Sequence, residues 1–222
     1  MTPVAKFNSI IVAVTTAIMY FLWIFINKIS PDFIENNGLV ANVIAILSSL
    51  GFYRLLTSIL KGMFEKMRFV RKMLLGDRYL EGTWVGFYIS EMKEVRYLYE
   101  TYEQSLDDVL ICGHSYKEDK TMHGKWTALN PLIDCKKKSI KYYYETDMAK
   151  KTHIGQGFAS FSLEKTDGKK YFNIMQGFSS DLNQTEKSMA FEMKVSEELW
   201  SDPKKILEKA EEVYHNNKEY FS

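Results

Sequence analysis

The side chains best able to do chemistry are four histidines and two cysteines, and their spacing completes none of the common catalytic constellations. His114, His123, His153 and His215 are scattered, and no serine or cysteine near them stands in a nucleophile elbow. Cys112 and His114 are two apart on one strand-like run and so share a face, but no third group is in place to orient the histidine. His114 and His123 lack the clustered carboxylates that would complete a metal site. Gly155-Gln156-Gly157 has two glycines of a dinucleotide fingerprint, without the third glycine or the helix that must follow. Cys112 and Cys135 fall in or beside strand-like runs and read as small buried residues, and free thiols fit a reducing compartment. The expectation is a non-enzymatic protein with neither metal nor cofactor.

Aromatic density is the stronger signal. Tyr97 and Tyr99 share a face with Val95 and Thr101, and Tyr142 and Tyr144 share one with Ile140 and Thr146. Trp84 and Tyr88 share another, and Trp126 follows Lys125. Such rings can simply fill a core. Tyrosine suits a wholly dry core poorly, however, because each buried hydroxyl needs a partner. Several together point to a polar-lined pocket that takes a planar ligand. Arg96, Lys125, His114 and Lys141 are basic groups near those strands that could meet phosphate, or could equally form an exposed face. The candidate ligand-binding set is Tyr88, Arg96, Tyr97, Tyr99, His114, Lys125, Trp126, Tyr142 and Tyr144.

The elements that must position them lie past Asp77, where helical periodicity gives way to alternation. Strand-like runs occupy 82–90, 95–102, 109–116, 124–129, 139–146, 155–164, 171–179 and 188–195. Leu106-Asp107-Asp108, Asn130-Pro131, Thr166-Asp167-Gly168 and Asp181-Leu182-Asn183 supply turn chemistry between them. About eight short strands at hairpin spacing predict an antiparallel meander, as sandwich or barrel. Glu81-Gly82-Thr83-Trp84-Val85-Gly86-Phe87-Tyr88 favours a lipocalin-like barrel, with Trp84 plugging one end. Gly155, Gly157 and Gly177 are candidate bends. Ser201-Asp202-Pro203 starts a helix over 203–216, with Ile206, Leu207, Ala210 and Val213 on the face that packs on the barrel or closes one end.

Before residue 61 the chain is of another kind. The uncharged run 9–26 approaches the length needed to cross a bilayer. A second run, 39–60, carries the single charge Arg54 near its C-terminal end, where it can snorkel. Lys28, Ser30, Pro31, Asp32 and Glu35 lie in the connector. The first run is too long for a signal-peptide core, has no cleavage site after it, and is followed by a second span. Lys61, Lys66, Arg68, Arg71 and Lys72 stand against Glu65 alone, which predicts both termini and the large domain in the cytoplasm. Residues 61–76 read as a basic juxtamembrane helix or linker with a stripe at Met63, Met67, Val70 and Leu74. The net charge of +1 and mean hydropathy of -0.24 average over two unlike parts. Near-neutrality argues against a DNA or RNA partner. The expected organisation is 1–60 transmembrane hairpin, 61–76 linker and 77–222 barrel domain.

Two N-terminal spans, a basic juxtamembrane segment and a β-rich domain opening on Gly82-Thr83-Trp84-Val85-Gly86-Phe87-Tyr88 together resemble the two-transmembrane β-barrel effectors of bacterial cyclic-oligonucleotide antiphage (CBASS) systems. The resemblance covers the whole chain and lies in its layout, not in a short motif. It implies that the barrel receives a cyclic dinucleotide and self-associates into a homo-oligomer, and that the spans then disrupt the inner membrane. The residues also leave open a membrane-tethered lipocalin-like carrier of an apolar or lipid ligand, and a scaffold whose barrel binds only protein.

Overall fold

The computed structural model describes residues 2–29, 38–90, 92–106, 108–148, 155–182 and 187–221. The connector residues Ser30, Pro31, Asp32 and Glu35, the turn residues Asp107 and Asn183, and His153 lie outside the described residues. The chain divides into two compact units, 1–75 and 76–222.

The first unit contains α1 (Pro3–Ile29), α2 (Gly38–Lys66) and α3 (Arg68–Leu75). Helix α1 buries Phe7, Ile11 and Thr15 and exposes Tyr20, Phe21, Trp23, Ile24 and Phe25. Its segment Pro3–Phe25 is, among the described residues, the one helix long and apolar enough to cross a membrane. Helix α2 breaks at Met67, whose amide donates to the Met63 carbonyl at 2.8 Å. Helix α3 then restarts the predicted stripe, burying Val70, Leu74 and Leu75.

The second unit is a closed antiparallel barrel of eight strands in sequential order. These are β1 (Gly82–Ile89), β2 (Val95–Gln104), β3 (Val109–Lys117), β4 (Met122–Asp134), β5 (Ser139–Met148), β6 (Gly155–Glu164), β7 (Ile174–Asp181) and β8 (Ser188–Ser196). Closure pairs β1 with β8, as in Phe87↔Phe191. It leaves no free sheet edge. Two strand boundaries differ from the sequence expectation by more than two residues. Asn130-Pro131 does not end a strand; β4 runs through it as an irregularity between Leu129 and Leu132, with Asn130 at φ 49°. A proline lacks the amide a regular ladder needs, so a bulge accommodates it. Strand β7 starts at Ile174, and Phe172 before it packs into the interior core.

Each barrel wall is buried from both sides along β1, β2 and β8. Inside lie Trp84, Leu98, Tyr102, Ile111, Ile140, Phe161, Leu163 and Met175. Trp84 is fully buried and its indole N–H donates to the Leu80 carbonyl at 2.8 Å, which closes one end as expected of a plug. Outside, helix α4 (Pro203–Asn217) lies on the wall, with Ile206, Leu207, Ala210 and Val213 against Val85, Phe87, Tyr97, Tyr99 and Phe191. Asp202 caps it by accepting from the Lys204 amide at 3.1 Å, and Pro203 occupies its first turn. Burying Ile206, Leu207 and Val213 is worth about 1.5–3 kcal/mol each before entropy is charged. The helix therefore packs on the side of the barrel and leaves the end opposite Trp84 uncovered by it.

Candidate functional site

An eight-stranded barrel has an interior just wide enough to be filled by side chains or to hold one small ligand. This one does both. Below Glu100 it is packed solid around Trp84 and Tyr102, and above it a cavity of about 660 Å³ opens toward the β1–β2 and β3–β4 turns. Volumes of roughly 300–1,000 Å³ are those of small-molecule sites. Alternation along β2 turns Arg96, Leu98 and Glu100 inward, and β8 contributes Ala190 and Glu192.

Two aromatic rings lie flat on the wall because the partner strand has glycine beneath them. Trp126 pairs with Gly113, where a Cβ would come within 2.0 Å of the indole. Tyr144 pairs with Gly157, where a Cβ would come within 2.2 Å of the phenol. Gly157, expected as a bend, thus serves as a seat for a ring. Both rings line the cavity, with Tyr88, Tyr142 and Phe161 nearby. Tyr144 donates to Asp181 at 2.9 Å. At the wall toward the mouth, the Arg96 guanidinium pairs with Glu94 and donates to the Val95 carbonyl at 3.2 Å, while its Nε has no partner. Lys125 at the rim pairs with Asp147 at 3.0 Å.

The floor is a pair of buried carboxyl groups. Glu100 accepts three hydrogen bonds: from Tyr102 at 2.7 Å, from Trp126 at 3.0 Å and from Tyr142 at 3.0 Å. Glu100 and Glu192 interact directly, and because three other donors already converge on Glu100 the shared proton belongs on Glu192. Burial, followed by the charge of Glu100, pushes the Glu192 pKa well above its ordinary value of 4.5. Burial also raises Glu100, against the hydrogen bonds that favour its ionised form, Tyr102 first among them. One proton held between two carboxyls is the outcome when like charges share a dry site. With three side-chain donors already on Glu100, it is built as an acceptor hub and is poorly placed to take a proton from a substrate.

The pair makes stability depend on pH in a definite sense. The native state keeps the Glu192 proton where the unfolded chain has lost it. Its stabilisation is therefore complete below about pH 4.5 and declines as pH rises through the elevated native pKa. Between pH 5 and 8 the melting temperature should fall, and in Glu192→Gln that decline should flatten, because an amide donates to Glu100 at any pH. A rise of about 2–4 °C in the variant at pH 8 corresponds to roughly 1 kcal/mol. Thermal melts across pH 5–8 check this; parallel profiles for the two proteins would refute it.

Of the nine candidate residues, the fold brings Tyr88, Arg96, Trp126, Tyr142 and Tyr144 together around the cavity, while Lys125 borders its rim from the outer face, in register with His114. Tyr97, Tyr99 and His114 face the other way. Tyr97 and Tyr99 alternate with the inward residues of β2 and are buried by helix α4 and its approach. The Tyr99 hydroxyl donates to the Trp200 carbonyl, and its ring stacks on His114 at 5.6 Å. His114 lies on the outer face in register with Tyr99, where burial, then the charge of Lys125, lowers its pKa and biases the imidazole to neutrality. Lys141, also named as a possible phosphate contact, is exposed and out of phase with the inward Tyr142. Cys112 shares the outer face with His114. The sequence reading missed Glu100, Glu192 and Asp181. The available signal at Glu100 and Glu192 was an acid within a strand-like run, because an acid inside a barrel strand must be paired, whereas Asp181 lay past its run in a segment read as a turn.

Among the described residues no three His, Cys, Asp or Glu gather as a metal-ligand set. Comparison with family models, with curated proteins and with solved structures gives no match.

Proposed function

We propose that the chain is a membrane-anchored, non-enzymatic receptor and effector of antiphage defence, whose barrel binds a cyclic dinucleotide. The observation that carries this reading is the pair of flat-lying rings, Trp126 and Tyr144, in a 660 Å³ cavity that also holds the Arg96 guanidinium. Two rings suit two bases, at about 1–3 kcal/mol of stacking for each. Arg96 suits a phosphate. The apolar α1 segment, Pro3–Phe25, is the first of two spans on this reading, and residues 39–60 within α2 are the second. The basic residues Lys61, Lys66, Arg68, Arg71 and Lys72 keep the barrel and both termini on the cytoplasmic side of the inner membrane. Ligand promotes self-association to the extent that it binds the assembled state more tightly than the monomer. The spans then breach the bilayer and end the infection together with the cell.

A carrier of an apolar or lipid ligand is the weaker reading. Its tail would have to lie on the Glu100–Glu192 floor, and hydrocarbon offers a buried carboxyl no donor. In cells, co-expression of the full chain with a cyclic-dinucleotide-producing enzyme should make the inner membrane permeable to an impermeant dye within one generation. Removing residues 1–60 should abolish the effect. Dye entry that is undiminished by that deletion would contradict the proposal.

A further inference from the structure

The floor of the cavity holds an acceptor with no donor. Glu192 is 1% exposed, and its Oε2 has no hydrogen-bond partner. The cause lies in how Glu100 is served. Tyr102, Trp126 and Tyr142 all spend their protons on Glu100, so none is left for its neighbour. Glu192 spends its own proton in the same direction, which leaves Oε2 as the carbonyl oxygen of a neutral acid. Its strand position turns it inward beside Ala190, and it lines the cavity. Pairing of Glu192 with Gly86 and of Glu100 with Trp84 sets Glu192 two residues nearer the mouth along β1, with Oε2 enclosed by its neighbours until a ligand parts them.

We infer that Glu192 is a specificity-determining residue, whose free carbonyl oxygen accepts a hydrogen bond from an exocyclic amino group on the ligand's base. The inference rests on the cyclic-dinucleotide reading above and goes beyond it by stating which base edge enters first. An amino group on a base stacked over Trp126 reaches down to the floor while the phosphates stay near Arg96, away from the carboxyls. A base with hydrogen in place of the amino group leaves Oε2 buried and unpaired. Sites built to bond a polar group reject the analogue that lacks it, because their own buried atoms then go unsatisfied.

The test compares matched ligands on the full chain in detergent by titration calorimetry. Cyclic di-AMP is set against its analogue with hydrogen at both 6-positions, and cyclic di-GMP against cyclic di-IMP, which lacks the 2-amino groups. In whichever pair binds, wild type should favour the amino-bearing member by about tenfold or more, at 1.4 kcal/mol per decade. Glu192→Gln, which keeps a carbonyl oxygen and still donates to Glu100, should preserve the ratio. Glu192→Leu should reduce it to threefold or less by weakening only the amino-bearing ligand. Equal affinity within each pair for wild type overturns the inference without any need for a folded variant, and a ratio undiminished in Glu192→Leu also overturns it. If no member of either pair binds wild type, the inference falls, and the cyclic-dinucleotide reading falls with it where pyrimidine cyclic dinucleotides also give no binding.

Discussion

Glu100→Ala is expected to destabilise the barrel by about 3–6 kcal/mol, the sum of three buried donors each losing an acceptor at roughly 1–3 kcal/mol, less what solvent in the cavity recovers. The donors are the hydroxyls of Tyr102 and Tyr142 and the indole N–H of Trp126. They come from strands β2, β4 and β5, so one side chain ties together both sides of the barrel. Glu100→Gln should cost far less, about 1–2 kcal/mol. Its amide oxygen can serve Trp126 and Tyr142 at the position of Oε1, and the Tyr102 hydroxyl can turn to the Met175 sulfur, already 3.6 Å away. Denaturant melts of the full chain read the difference. Equal losses in the two variants would show that Glu100 matters by volume or charge and not as an acceptor.

The second large effect concerns binding. On the receptor reading, Arg96→Ala should weaken cyclic-dinucleotide affinity by about 10–100-fold, since a hydrogen bond to a charged group is worth roughly 1.5–3 kcal/mol. Arg96 is almost buried in the wall, and its Nε is still free to donate. Tyr97→Ala is the informative companion. One residue along the same strand, it faces helix α4, so it should lower stability by about 3–5 kcal/mol if fully felt, with affinity of the folded fraction unchanged. Weakened binding in Tyr97→Ala together with intact binding in Arg96→Ala would mean that the ligand sits outside the barrel.

That contrast also marks where the sequence stops being legible. Alternation, turn residues and the Gly82-Thr83-Trp84 opening were enough to anticipate eight strands, a barrel and a Trp84 plug, because those signals are local. Asp202 and Pro203 likewise announced helix α4 to within a residue of its observed end. On β5 the inward face was readable, since Ile140, Tyr142 and Tyr144 alternate with Lys141, Tyr143 and Glu145, and the first set is buried. On β2 both faces are rich in rings, and Tyr97 and Tyr99 look more like cavity wall than Leu98 and Glu100 do. Only the docking of a helix more than 100 residues later, with Tyr99 donating to the Trp200 carbonyl, makes their face an outer core. That the two acids meet was not legible for the same reason. Glu100 and Glu192 are brought together by closure of β1 on β8, the longest-range pairing in the barrel.

The claim on which the rest depends is that the cavity above Glu100 takes a cyclic dinucleotide. Calorimetric titration of the full chain in detergent, with a panel of cyclic dinucleotides spanning the four bases, tests it most directly. The account predicts saturable binding of at least one member at micromolar affinity or tighter, about −8 kcal/mol, and its loss in Arg96→Ala. No saturable heat from any member up to roughly 1 mM, where binding is worth only about −4 kcal/mol, would contradict it.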